Sequence, residues 1–148
     1  MKKDEVLNDL IEINNDRNEG YKKAARQTSD EDLRSLFTNM ANQSTQNVSE
    51  LKMLLSGEEK PADGTTLRGK IYRTWMDVKA TFGGDDRKSL LASCEFGEDA
   101  AQKAYKTALE EKELSLDTRQ VIEKQRTTQK EAHDKIKRMR DAQYVHHV

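Results

Sequence analysis

Apolar side chains recur every three or four residues over long stretches of this sequence. The first stretch extends from about Asp4 to Gln27, and its apolar residues form one stripe: Val6, Leu7, Leu10, Ile13, Tyr21, Ala24 and Ala25. Later stretches repeat this spacing, which is that of one face of an α-helix. A helix with a single apolar stripe has to bury that stripe against other helices, so the sequence predicts a helical bundle.

The composition argues against a fold built on a sheet. Hydrophobic residues make up 34% of the 148 residues and charged residues 36%. A sheet with two buried faces would need more β-branched and aromatic residues than this. One proline and seven glycines also leave few of the interruptions that separate short strands. The predicted fold class is therefore all-α.

Capping and turn signals divide the chain into five predicted helices. Their boundaries are Asp4 to Gln27, Ser29 as N-cap to Gly57, Leu67 to Phe82, Asp85 or Asp86 as N-cap to Lys112, and Ser115 as N-cap to Arg140. The loop GEEKPADGTT separates the second helix from the third. We expect residues 1–143 to form a single domain and residues 144–148 to form a frayed tail.

The helix lengths constrain the topology. Four helices of about 24 to 28 residues are ~35–42 Å long at ~1.5 Å per residue. The shorter helix from Leu67 to Phe82, with its flanking loops, can carry the chain from one end of such a bundle to the other. The four long helices are then up-down-down-up, two antiparallel hairpins joined by a crossover helix, which is the ferritin-like arrangement.

Charge and cysteine content limit the function classes. The formal net charge is −1, which gives no bias toward nucleic acid or an anionic membrane surface. No window is apolar enough to be a membrane span, and the N-terminus lacks a signal-peptide pattern. The single cysteine, Cys94, cannot form an intramolecular disulfide and fits a reducing compartment. We expect a cytoplasmic protein without nucleic-acid or membrane partners.

Two segments of the chain repeat the same seven-residue spacing. NNDRNEGYKKAAR places Asn14 seven residues before Tyr21, and EDAAQKAYKTALE places Glu98 seven residues before Tyr105. This pattern resembles ferritin-like carboxylate proteins, in which a glutamate seven residues before an aromatic is a metal ligand and the next helix supplies Glu-x-x-His. The resemblance and the repeat together assign the remaining ligand positions to Ser44, Asn47, Lys130 and His133.

Four separated blocks in order resemble a narrower group. LNDLIEINNDRNEGYKKAA, WMDVKATFGGDD, CEFGEDAAQKAYKTALEE and EAHDKI are similar to an uncharacterised bacterial family of ferritin-like four-helix-bundle proteins, carried as a domain of unknown function. The similarity extends from about Leu7 to Met139. It implies the fold and a bacterial accessory or stress-associated role, and it implies no established activity.

The residue types at the ligand positions do not match those that a di-iron centre needs. Such a centre needs about six ligands, mostly carboxylates, with two imidazoles, and only Glu98 and His133 fit. We therefore predict a degenerate di-iron site, no cofactor and no catalytic residue. In this hypothesis the six residues form a buried polar layer, with Lys130 partly replacing the charge of the metal. The layer comprises Asn14, Ser44, Asn47, Glu98, Lys130 and His133.

His133 leaves two interpretations open. In the first it is an interior histidine that hydrogen-bonds Glu98 or the amides of Asn47 and Gln129, because buried polar groups need partners. In the second, Glu98 and His133 hold one metal ion together with water, and the protein is a metal-binding protein or a metalloenzyme.

The crossover helix carries the candidate surface for a partner. Trp75 lies on its apolar stripe, with Tyr72 and Met76 at the edge of the stripe. If the bundle leaves these side chains exposed, they form an apolar patch for a second subunit or another protein. The other interpretation, which we favour for Trp75, is that the side chain packs into the core of the bundle. A homodimer or another protein partner through Tyr72, Trp75 and Met76 is the alternative in which these side chains stay exposed.

Overall fold

The computed structural model describes residues 2–56 and 87–146, and within these ranges the chain is helical apart from short connections. The helices are α1 (Lys2–Gln27), α2 (Glu31–Met53), α3 (Arg87–Leu109) and α4 (Leu116–His146). The described part of the chain contains no strand. The predicted all-α class and helical bundle are confirmed. The predicted crossover helix from Leu67 to Phe82, with Tyr72, Trp75 and Met76, lies outside the described residues.

Hydrogen bonds between the helices fix their directions. Asn47 pairs with Asn14, and Asn18 with the carbonyl of Ala41, so α1 and α2 are antiparallel. Gln102 bonds the carbonyl of Arg126 and Tyr105 bonds Gln125, which shows that α3 and α4 are antiparallel too. The chain thus folds as two antiparallel pairs, and α1 also packs against α3.

Arg87 shows that α2 and α3 run the same way. Its guanidinium lies 3.0 Å from Asp30 and 2.8 Å from Asp32. Arg87 is the first residue of α3, and the two carboxylates flank the start of α2. Both helices therefore begin at one end of the bundle, in agreement with the predicted directions of the long helices.

One face of each helix supplies the core. Its buried residues are mostly aliphatic, and two tyrosines and one phenylalanine lie among them. Representative members are Leu7, Leu10, Ile13, Tyr21, Leu33, Phe37, Leu51, Leu90, Leu91, Cys94, Tyr105, Ile122 and Ile136. α4 contributes few large side chains, as the sequence indicated.

Several predicted helix boundaries differ from the structure. The N-cap of α2 is Asp30 and not Ser29, and the Asp30 side chain makes no capping hydrogen bond; its carboxylate contacts Arg87 instead. The N-cap at Ser115 is confirmed, because its Oγ accepts the Thr118 N–H at 3.2 Å. α2 ends at Met53, before Gly57. α3 ends at Leu109 rather than Lys112, and α4 continues to His146, past Arg140.

Candidate functional site

A polar layer crosses the middle of the bundle. Four of the six residues predicted for it are buried: Asn14, Ser44 and Glu98 are 0% exposed and Asn47 is 6% exposed. Each occupies a stripe position of its helix, so the same spacing that buries leucines elsewhere turns these polar groups inward. Burial on this scale requires that they find hydrogen-bond partners within the protein.

The centre of the layer is an ion pair between Arg17 and Glu98. Arg17 Nε donates to Glu98 Oε1 at 2.9 Å, and Nη2 donates to Oε2 at 2.7 Å. The two side chains are 1% and 0% exposed. This bidentate geometry matches the fork of a guanidinium to the two oxygens of a carboxylate. The pair joins α1 to α3 across the interior.

Further groups complete the surroundings of Arg17. Its Nη1 donates to Ser44 Oγ at 2.7 Å and to the Met40 carbonyl at 3.4 Å. The hydroxyl of Tyr21 donates to Glu98 Oε2 at 2.6 Å, and the Tyr21 ring centroid lies 5.2 Å from the guanidinium carbon. Burial alone would lower the pKa of Arg17, but the Glu98 carboxylate outweighs it and raises that pKa. Arg17 is therefore a fixed cation.

The second half of the layer is uncharged and is organised by Tyr105. Its hydroxyl donates to Gln125 Oε1 at 2.7 Å and accepts from Asn14 Nδ2 at 2.8 Å and from Gln129 Nε2 at 3.2 Å. Asn14 Oδ1 in turn accepts from Asn47 and from Gln129. These bonds link α1, α2, α3 and α4 through one set of amide groups.

Lys130 does not belong to the layer, which corrects the prediction. It is 65% exposed and pairs with Asp134 on the surface of α4 at 3.4 Å. The cation that faces Glu98 is Arg17 instead. The reason is the rotation of α4, which turns Gln125, Gln129 and Ala132 inward and leaves Lys130 on the far side.

His133 lies at the edge of the bundle, and the predicted contact with Glu98 is wrong. Its Nε2 is 2.6 Å from Asp99 Oδ1, and its Nδ1 is 3.0 Å from Asp134 Oδ1. Glu95 lies farther away, at 4.0 Å. The side chain is 18% exposed. The amides of Asn47 and Gln129, the other predicted partners, bond Asn14 and Tyr105.

A family described as a domain of unknown function (DUF2383) matches residues 3–111. The chain belongs to the DUF2383 family. The matched range includes α1, α2 and α3, which supply Arg17, Tyr21, Ser44 and Glu98, and it ends before α4. No curated protein sequence matches the chain significantly.

The titratable groups of the layer are held in unreactive forms. Burial, followed by the Glu98 charge, raises the pKa of Tyr21 well above its ordinary value. The same two causes raise the pKa of the Cys94 thiol, and burial raises that of Tyr105. A buried thiol with a raised pKa is a poor nucleophile, so Cys94 is not poised for covalent chemistry.

The layer does not have the donors of a metal centre. Among the residues that the structure describes, no group of three or more His, Cys, Asp and Glu side chains could hold a metal ion. Both oxygens of Glu98 face donors, from Arg17 and Tyr21. The residues at the expected ligand positions therefore do not fit a dinuclear metal centre. In residues 2–56 and 87–146, no helix has a stretch long and apolar enough to span a membrane.

Sequence reasoning missed Arg17 and Gln125 as layer residues, whereas it named Gln129 as an interior partner, and Gln129 is 0% exposed. Arg17 is three residues after Asn14 and four before Tyr21, so its place on the inward stripe was visible. Its charge argued for the surface, because arginine is almost never fully buried unless it is paired. Arg17 could have been found by combining its stripe position with Glu98, which is the lone carboxylate at the expected ligand positions.

Proposed function

We propose that this DUF2383 chain is a non-enzymatic, ferritin-like bundle in which an internal ion pair occupies the position of a metal centre. Its role is then binding or assembly, in a cytoplasmic accessory or stress-associated setting. The single observation that carries the proposal is the bidentate contact of Arg17 with Glu98 in the interior. The antiparallel helix pairs and the buried residues Asn14, Ser44 and Asn47 support the ferritin-like relationship.

The charge balance of the layer supports this proposal. A carboxylate buried without a counter-charge is strongly unfavourable, and a metal cation is one way to neutralise it. The guanidinium of Arg17 supplies that positive charge from within the chain. A metal ion bound to Glu98 would have to displace Arg17 and leave its guanidinium buried and unpaired.

A metal site made of Glu98, His133 and water has little support. Glu98 faces Arg17 and Tyr21 on α1, whereas His133 faces Asp99 on α3 and Asp134 on α4. The two side chains share no hydrogen-bond partner among those described. A buried lone cysteine, Cys94, is compatible with the reducing cytoplasm proposed as the location.

Metal analysis of untagged protein tests the proposal. The chain is purified without a histidine tag and its iron, manganese and zinc are measured before and after treatment with a chelator. We expect well under one equivalent of metal per chain, no iron oxidation above the rate in buffer, and a thermal midpoint that the chelator does not shift. Two tightly held irons per chain would overturn the proposal.

The matched control for that measurement is Glu98→Gln. The substitution removes the only carboxylate at the expected ligand positions while it preserves the size of the side chain. If wild-type protein holds no metal through Glu98, wild type and variant have the same low metal content. A metal content that is present in the wild type and lost in the variant would support a metalloprotein instead.

A further inference from the structure

One face of α2 carries no charge over most of the helix. Residues 35–49 contain no Asp, Glu, Lys or Arg, although charged residues are 36% of the chain. The inward positions of this run belong to the core and the polar layer. Its outward positions are polar but uncharged, whereas the exposed faces of the other helices carry charges.

The outward positions line up as a stripe. At about 100° per residue, they fall within a narrow sector of the helix, and every member is exposed. We call this the α2 stripe: Ser35, Asn39, Asn42, Gln46, Ser49 and Met53. Met53, at the end of the stripe, is 86% exposed and is the one large apolar member of the stripe.

We propose that the α2 stripe is a self-association surface, on which a second copy of this chain docks with its own α2 stripe in the antiparallel direction. In a two-fold contact each residue faces a symmetry-related one, and any charge near the axis repels its own copy. A surface without charges is suited to that arrangement. A partner recognised by its charge would require the opposite composition.

The stripe is complementary to itself when two copies are antiparallel. With the two-fold axis beside residue 44, Asn42 lies opposite Gln46 of the second copy, so that amide faces amide. Asn39 lies opposite Ser49, and the long side chain of Met53 lies over the short side chain of Ser35. The central part of an interface is depleted in charged residues, and the nearest carboxylates on one flank, Asp32 and Glu50, are already engaged by Arg87 and Gln125.

The size of the stripe sets the expected strength. It is ~27 Å long at ~1.5 Å per residue and ~10 Å wide, a footprint of ~270 Å². Standard stable interfaces bury ~800 Å² per partner. The α2 stripe alone therefore supports a weak, reversible dimer, with dissociation at micromolar concentrations or above.

Analytical ultracentrifugation of the full chain at about 10–500 µM tests the proposal. We expect a monomer–dimer equilibrium in the wild type. The variants Asn42→Lys/Gln46→Lys and Asn42→Glu/Gln46→Glu each place like charges opposite one another, so each should weaken association at least about tenfold. An equimolar mixture of the two variants should associate again, because opposite charges then meet.

The matched control is Gln120→Lys/Thr127→Lys, which adds the same charge at two exposed positions of α4 and should leave the equilibrium unchanged. A wild type that stays monomeric overturns the proposal. A dimer whose dissociation constant is the same in the charged stripe variants overturns it too. A stripe variant that loses thermal stability without a change in association would mean that the same chain covers the stripe, which also overturns it. None of these outcomes affects the metal analysis, so the two proposals fail independently.

Discussion

Arg17 on α1 and Glu98 on α3 meet through two parallel hydrogen bonds, 2.9 and 2.7 Å long, in the interior of the bundle. The contact joins helices from the two different antiparallel pairs. Apolar packing alone tolerates small slips between helices, whereas a bidentate buried pair is satisfied in only one register. We infer that this pair aligns the first hairpin on the second.

Removing one member of the pair should be far more damaging than removing both. Arg17→Met leaves Glu98 buried without its cation, and Glu98→Leu leaves Arg17 buried without its anion. Each single change should lower the free energy of unfolding by about 3–5 kcal/mol. The double variant should lose much less unfolding free energy than the two single variants added together, because no buried charge is then left without a partner. Urea unfolding of the four proteins measures this coupling.

A conservative variant separates geometry from charge. Arg17→Lys keeps the positive charge but cannot make the two parallel bonds, so its stability should fall between wild type and Arg17→Met. If a single variant does not fold, recovery of a folded double variant still reveals the coupling. Additive losses in the double variant would contradict the ion pair as the centre of the layer.

Tyr105→Phe tests the uncharged half of the layer. The change removes the hydroxyl that donates to Gln125 and accepts from Asn14 and Gln129. Gln125 then keeps a buried acceptor without its donor, which should lower the free energy of unfolding by about 1–3 kcal/mol. Thermal unfolding followed by circular dichroism measures the loss. A midpoint equal to that of the wild type would show that the hydroxyl is dispensable.

The regular spacing of apolar residues predicted the four helices that the structure describes, and the helix lengths predicted their directions. Asn14, Ser44, Asn47 and Glu98 were assigned to the layer from the repeat and the ferritin-like resemblance, at positions that interrupt the apolar stripes. Arg17 was not, since a long cation on a stripe can reach solvent by extending its side chain. Its burial depends on the position of Glu98 on another helix, which is long-range information that a local pattern does not contain.

The predicted places of Lys130 and His133 on α4 were wrong for a different reason. With few large apolar residues, the stripe of α4 defines the edges of its inward face poorly, and neighbouring residues differ by about 100° in direction. Lys130 and His133 were assigned from the expected ligand motif. Gln129 faces inward as expected, and Gln125 joins it in the interior, because their amides bond Tyr105 and Asn14.

Ser115→Ala tests a local feature of α4 that the sequence did indicate. The hydroxyl of Ser115 accepts the Thr118 N–H at 3.2 Å and is a true N-cap. Its loss should cost about 0.5–2 kcal/mol in the free energy of unfolding. Ser29→Ala is the matched comparison, because Ser29 was predicted to be an N-cap and Asp30 holds that position. We expect chemical unfolding to detect a loss for Ser115→Ala and almost none for Ser29→Ala, and equal losses would be evidence against this assignment.

His133 should make stability depend on pH near neutrality. Its two ring nitrogens face Asp99 on α3 and Asp134 on α4, with Glu95 and Lys130 nearby. Burial opposes protonation, but the bonds to Asp134 and Asp99 outweigh it and raise the pKa of His133 above its ordinary value of 6.5. The folded state thus binds the proton more tightly than the unfolded state does. The resulting stabilisation is fully present below about pH 6.5 and is lost as pH rises through the folded-state pKa.

The expected change is small because water screens the two partners, which are 57% and 43% exposed. Between pH 5.5 and 8.5 the free energy of unfolding should fall by at most about 1 kcal/mol from this group. His133→Gln cannot be protonated, so its unfolding free energy should vary less over the same range. A double-mutant cycle with Asp99→Asn should show stronger coupling at pH 5.5 than at pH 8.5, where only a hydrogen bond from neutral His133 is left, whereas a cycle with Glu98→Gln should show none. Coupling of His133 to Glu98 would restore the interior placement that the contacts of α4 argue against.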